Sequence, residues 1–135
     1  MNKEVRITIE GIQLGAEEAI ITTCDGAYYN RNGCHYILYE EATEGGITKN
    51  RIKIDSGRIT VKKEGGLNAL MEFNTAEGTQ ISYHTPYGSL GFDVHTAGLN
   101  LIVTEEEVHV DLIYTLSENG EQISKNQLKI KVISI

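Results

Sequence analysis

With 135 residues, 40% of them hydrophobic, the chain carries enough apolar material for one packed core and is read as a single domain over residues 1–135. Nineteen acidic against twelve basic side chains leave a formal net charge of -7, which opposes approach to a phosphate backbone and argues against a nucleic-acid partner. No apolar run reaches the roughly 20 residues of a membrane helix, and no apolar leader stretch follows Met1, so the expected location is cytoplasmic, without a membrane partner.

One period dominates. Val5, Ile7 and Ile9 alternate with Arg6, Thr8 and Glu10, the pattern of a strand with one buried face. Ala19 to Asn30 is rich in Ile, Thr and Tyr, with Asp25-Gly26 read as a bulge. Cys34 to Glu41 returns from an Asn32-Gly33 turn and ends at Glu44-Gly45-Gly46. Ile47 to Ile54 and Arg58 to Glu64 flank Asp55-Ser56-Gly57, a hairpin signal, and Gly65-Gly66 breaks the chain. Leu70 to Asn74 and Thr79 to Thr85 enclose the turn Thr75-Ala76-Glu77-Gly78, and the chain's one proline starts the turn Pro86-Tyr87-Gly88.

Leu90, Phe92, Val94 and Thr96 alternate with Gly91, Asp93 and His95; Ala97-Gly98 then leads to Leu99, Leu101 and Val103, read as the next strand. Val108, Val110, Leu112, Tyr114 and Leu116 form the cleanest alternation, closed by Glu118-Asn119-Gly120, and Gln122 to Ile135 is the last strand. Helix is confined to a single turn at Gly15 to Ala19, too short to stand alone. The fold class is therefore all-β, with about ten strands in a sandwich or an up-and-down antiparallel barrel. The two cysteines are read as free thiols. A turn over Asn30-Arg31-Asn32-Gly33 sets Tyr29 opposite Cys34 and leaves Cys24 beyond disulfide reach.

The order of Gly26-Ala27-Tyr28-Tyr29, Tyr36-Ile37-Leu38-Tyr39-Glu40-Glu41, Ile52-Lys53-Ile54, Met71-Glu72-Phe73, Tyr83-His84-Thr85-Pro86-Tyr87-Gly88 and Asp111-Leu112-Ile113-Tyr114 resembles the YwiB-like family, over nearly the whole chain. The Thr-Pro-Tyr-Gly turn and its flanking strands are the most specific part. The resemblance implies a lipocalin-like (calycin) antiparallel barrel from a group of small, functionally uncharacterised bacterial proteins, mostly of Gram-positive organisms. Where it leads one to expect an arginine before the glycine closing the fifth strand, this chain has Lys63-Glu64-Gly65. The Gly-x-Trp signature of lipocalins proper is absent, since the chain has no Trp.

Three groups of residues are candidates for function. Lys49, Arg51, Lys53, Arg58, Lys62 and Lys63 are half of the basic side chains, with Asp55 among them. Pairing Ile54 with Ile59 and Ile52 with Val61 sets Arg51 opposite Lys62 and Lys53 opposite Thr60, which makes a basic outer face for an anionic group, an acidic partner surface, or simply solvent. The mirrored triplets Asp93-Val94-His95 and His109-Val110-Asp111 each set an imidazole beside a carboxylate. The alternation sends both triplets outward, and with Leu99 to Thr104 as a strand between them they lie about 10 Å apart. Seven of nine aromatics are tyrosines, whose hydroxyls need partners when buried. If the barrel has a lumen, Tyr39, Tyr83 and Tyr114 line it, with Glu41 and Lys53 as charged companions inside or at its mouth.

There is no Gly-x-Ser-x-Gly elbow, zinc-type cysteine spacing or phosphate-binding glycine loop, so no catalytic residue, metal site or cofactor is assigned. The leading expectation is a non-enzymatic barrel that binds a small polar or anionic ligand. The alternative is a protein-interaction or oligomerisation module using the basic face, and a third reading is a small hydrolase or isomerase with His95 or His109 as acid/base group. Apolar residues on both faces near the end of Lys129 to Ile135 leave a homodimer open.

Overall fold

The computed structural model describes residues 2–135. Ten strands follow in order: β1 Asn2–Gln13, β2 Ile20–Arg31, β3 Cys34–Thr43, β4 Gly46–Asp55, β5 Arg58–Gly65, β6 Asn68–Asn74, β7 Thr79–Thr85, β8 Gly88–Val103, β9 Glu107–Glu118 and β10 Glu121–Ser134. Each pairs antiparallel with its sequence neighbour, and β1 pairs with β10 from Val5 opposite Ser134 to Gln13 opposite Asn126, closing the barrel. No helix among the described residues is long and apolar enough to cross a membrane. The segment between β1 and β2 makes a turn, with the Ala16 amide donating to the Gln13 carbonyl at 2.9 Å, and no helix.

Two-residue turns pin most of the register. The β2–β3 turn has Asn32 and Gly33 at φ 53° and 79°, the left-handed pair that matches the twist of a hairpin. Its register sets Arg31 opposite Cys34 and Tyr29 opposite Tyr36, two residues tighter than the expected pairing of Tyr29 with Cys34, because Asn32-Gly33 suffices as the turn. Both cysteines are free thiols. The β4–β5 hairpin has Arg51 opposite Lys62, Ile52 opposite Val61 and Ile54 opposite Ile59, as the apolar alternation requires.

Two local readings are corrected. Gly26 sits in regular ladders on both sides, opposite Val5 and Tyr39, and makes no bulge. A Cβ there would stand 2.3 Å from the Leu38 carbonyl oxygen and 2.8 Å from Ile7 Cδ1, so glycine is needed for the close approach of three strands. Bulges lie instead in β10, where Ile123 is the extra residue between Gln122 opposite Ser117 and Ser124 opposite Leu116, and in β8, where Thr96 opposes Tyr114 and Gly98 opposes Ile113, leaving Ala97 as the extra residue. Ala97-Gly98 is thus no turn: one sixteen-residue strand bends there, pairing with β7 along Gly88–Val94 and with β9 along Asp93–Val103.

Inward positions alternate along every strand, and they divide the lumen. We call upper the end that carries the odd-to-even connections such as β3–β4, and lower the end with the even-to-odd connections and both strand termini. The lower half is filled by Val5, Ile7, Ile37, Ile52, Ile54, Ile59, Phe73, Val108, Val110, Leu112, Ile130 and Val132, all at most 5% exposed. Burial of each such side chain stabilises by roughly 1.5–3 kcal/mol. This floor leaves the upper half free to hold polar groups.

Candidate functional site

Three inward rows rise above the apolar floor on the β3, β4 and β5 wall. Ile37 and Tyr39 are followed by Glu41, Ile54 and Ile52 by Asn50 and Thr48, and Ile59 and Val61 by Lys63. Register places Tyr39 opposite Asn50 and Asn50 opposite Lys63, so the polar groups converge. Lys63 Nζ donates to Glu41 Oε1 at 2.9 Å and to Asn50 Oδ1 at 2.7 Å, while Asn50 Nδ2 donates to the same Glu41 oxygen at 3.2 Å. The Lys63 and Glu41 side chains keep 18% and 25% of their exposure although both face inward. Above them the Leu67 amide donates to Thr48 Oγ1 at 2.9 Å, and Thr48 shares a 3.0 Å hydrogen bond with Thr43.

The opposite wall is uncharged. Thr96, Tyr114 and Asn126 form one row across β8, β9 and β10. In the ring of ten strands β4 and β9 stand five places apart, so the two polar rows face each other across the lumen. The Tyr114 ring leans on Phe73, with centroids 4.8 Å apart, and Tyr83 meets Phe92 edge-on at 6.4 Å. Asn126 Nδ2 donates to Ser124 Oγ at 2.9 Å. Thr96 is only 3% exposed, and its Oγ1 has no hydrogen-bond partner among the described residues.

Burial raises the pKa of every acidic hydroxyl or thiol lining this space. Tyr39 is raised most, by desolvation first, then by the Glu41 carboxylate and Cys24. Tyr83 is raised by burial alone, and Tyr114 by burial and then by Tyr83. Burial also pushes the Cys24 thiol up, helped by Glu41 and Asp25. At neutral pH these groups are therefore neutral hydrogen-bonding groups, with the thiol unready as a nucleophile.

Among the residues proposed from sequence, Tyr39, Glu41, Tyr83 and Tyr114 face the lumen and Lys53 does not. Lys53 lies between Ile52 and Ile54, each 1% exposed, so the pleat turns it outward, where its ammonium sits 5.9 Å from the Tyr36 ring centroid. The luminal cation is Lys63. Its position two residues beyond Val61, on the alternation Ile59, Val61, Lys63, is the signal that locates it, as Asn50 is located two residues before Ile52. Thr96 follows Val94 in the same way.

The outer face is less basic than its sequence. Lys49, Arg51 and Lys62 do border a groove of about 620 Å³ over β2 to β5, but Asp25, Glu40 and Glu64 border it too. Register alternates the signs, with Lys49 between Glu40 and Glu64, and Lys62 Nζ binds Glu64 at 2.9 Å. That hydrogen bond, with the nearby cations, lowers the Glu64 pKa. Arg58 lies apart at the lower hairpin, paired with Glu77 at 2.8 Å. Three cations facing three carboxylates give no net field for an anion.

The His triplets lie on adjacent strands rather than astride a third. His95 opposes Thr115 while Asp111 opposes Asn100, so four residues, about 13 Å, separate them along the ladder. His109 Nε2 meets Glu107 at 2.9 Å on its own strand, and Asp111 accepts from Gln127 at 2.9 Å. Among the described residues no three His, Cys, Asp or Glu side chains are placed to share a metal ion. A second recess of about 560 Å³ opens at the lower end between Lys3, Tyr28 and the Thr104–Glu107 connection, where Lys3 Nζ donates to the Glu105 carbonyl.

A closed ten-strand antiparallel barrel with a polar upper lumen defines the class of this protein. The chain belongs to a family described as a domain of unknown function, DUF1934, whose model matches residues 5–130. It is 25% identical over 108 residues to the "Uncharacterized beta-barrel protein YwiB" of Bacillus subtilis (strain 168), spanning 80% of this chain and 76% of that one. The crystal structure of the ywiB protein from Bacillus subtilis superposes with a TM-score of 0.87, over 99% of this chain and 93% of that chain, at 20% identity, which shows the shared fold.

Proposed function

We propose that the protein binds a small polar ligand in the upper half of its lumen, as a non-enzymatic binding barrel. The supporting observation is the Glu41–Lys63–Asn50 network, which faces inward and in which the Glu41 and Lys63 side chains keep some exposure to solvent while Asn50 and the aliphatic layer below are sealed. A polar group placed inside a barrel costs desolvation, and a sequence selected only for stability would extend the Ile and Val layer upward. Tyrosine hydroxyls, amides and one ion pair directed into a common lumen are the kinds of group that orient a polar molecule. The outer groove supports a partner-docking role less well, because its charges are already mutually matched.

Native mass spectrometry of the protein purified from cells, compared with the denatured chain, tests the reading. The expected result is a discrete additional mass lost on denaturation and absent from the double variant Lys63→Met/Glu41→Gln, which keeps the lumen neutral. A mass retained by that variant, or the bare chain mass from every preparation, overturns the reading.

A further inference from the structure

β8 runs past one of its neighbours. It pairs with β7 only as far as Val94, opposite Thr79, but with β9 down to Val103, opposite Val108. On the side away from β9, no strand or turn among the described residues bonds to the backbone of Gly98–Val103. Exposure rises along this overhang: Thr96 is 3% exposed, whereas Leu101, Ile102 and Val103 are 36%, 61% and 43% exposed. Leu101 and Val103 have luminal parity, since they oppose Val110 and Val108, and Ile102 has outer parity. The overhang is therefore apolar on both faces, beside a row of unpaired N–H and C=O groups.

Such an edge is a template for another strand, and exposed edges are ordinarily guarded by charge or proline. From Thr96 to Thr104 the chain has neither. The bulge at Ala97 lies above this stretch and leaves Leu99–Val103 in regular register on β9. The other long overhang, Ile20–Asp25 of β2 beyond its pairing with β3, carries Asp25 and follows Glu17-Glu18. The apolar end of β10 is covered within the chain by β1. Unpaired backbone selects an extended partner, and an uncharged edge offers nothing to a charged one. The overhang itself has the fitting pattern. Antiparallel pairing about a twofold axis at Leu101 sets Leu99 opposite Val103 and Asn100 opposite Ile102, which keeps apolar side chains together on the luminal side and brings no like charges face to face.

We infer that the free edge of β8 pairs with the same edge of a second copy of this chain, joining two barrels through one continuous sheet in a twofold dimer. The contact is small and two chains of net charge -7 repel each other, so the dimer is reversible and salt strengthens it. It is independent of the luminal reading above.

Analytical ultracentrifugation from micromolar to millimolar concentration, at low and high salt, together with hydrogen exchange read by mass spectrometry, tests the pairing. The expected result is a monomer–dimer equilibrium that tightens as salt is raised, with slower amide exchange across Leu99–Val103 at high concentration. Leu101→Lys, which sets two ammonium groups on the axis, and Ile102→Lys should each weaken association at least about tenfold, while Ile21→Lys on the β2 overhang should leave it unchanged. Because Ile102 is so exposed, its variant should keep the thermal midpoint of the wild-type monomer, which separates lost pairing from lost fold. A monomer at every concentration overturns the inference. So does association that weakens with salt, a ladder of species larger than the dimer, a dimer without added protection of β8, or a dimer that survives Ile102→Lys unchanged.

Discussion

Replacing Lys63 by Met keeps most of the aliphatic stem and removes the charge, which isolates the contribution of the luminal ion pair. An exposed pair contributes about 0–1 kcal/mol, and breaking a fully buried one costs roughly 3–5 kcal/mol. With Lys63 at 18% and Glu41 at 25% exposure, and two short hydrogen bonds lost, Lys63→Met falls between these limits, at about 2–3 kcal/mol. A chain of 135 residues unfolds with an entropy near 0.28 kcal/mol/K at about 2.1 cal/mol/K per residue, so the midpoint drops by about 9 °C. Differential scanning calorimetry at pH 7 measures it. Adding Glu41→Gln removes the stranded carboxylate and leaves an amide that can still meet Asn50, so the double variant should regain at least about 1 kcal/mol. A shift below about 2 °C for Lys63→Met, or simple additivity in the double variant, would refute the reasoning that these groups act as one buried network.

Two further outcomes are expected. Gly26→Ala should cost about 3 kcal/mol or more in urea unfolding, because its Cβ meets backbone at Leu38 O, whereas Gly98→Ala, with nothing within 4 Å, should stay within about 0.5 kcal/mol; equal costs at the two sites would contradict the close-approach argument. Stability should also fall with alkali. The phenols of Tyr39, Tyr83 and Tyr114 and the Cys24 thiol hold their protons in the native state above the pH at which the unfolded chain releases them. Their contribution is complete below the ordinary values of 9.0 for Cys and 10.0 for Tyr and is lost as pH rises past them. Urea midpoints between pH 8 and 11 should decline, and Tyr39→Phe should flatten the decline; a flat profile in the wild type would count against burial of these hydroxyls.

Much of this architecture is legible in single residues. The hairpin of β4 and β5 follows from Ile52, Ile54, Ile59 and Val61 alone, because a one-residue slip would turn all four to water. The same rule marks Lys53 as an outward residue and Lys63 as an inward one, so the luminal cation can be read from sequence by parity, provided that parity outweighs the expectation that charge faces solvent. Gly26 and Ala97-Gly98 are different. A glycine in a strand signals equally a bulge, a bend or a close neighbour, and which of these applies depends on Leu38 and Ile7, residues remote in sequence. Ala97-Gly98 looks like a turn because its composition is that of a turn, yet it only adds one residue to a strand long enough to serve two neighbours. The orphaned hydroxyl of Thr96 has no sequence signal beyond its place on the apolar alternation.

The seam between β1 and β10 joins residues more than a hundred positions apart, so the ring cannot close until the chain has been synthesised through Ser134. Until then β1 and β9 are open edges, and the wall that carries Asn126 does not exist. The polar upper lumen is therefore completed in the same event that seals the barrel. A molecule held between the two walls would act as a clasp across that seam, resisting the peeling of β10 and giving the occupied protein slower hydrogen exchange along β1 and β10 than the empty one.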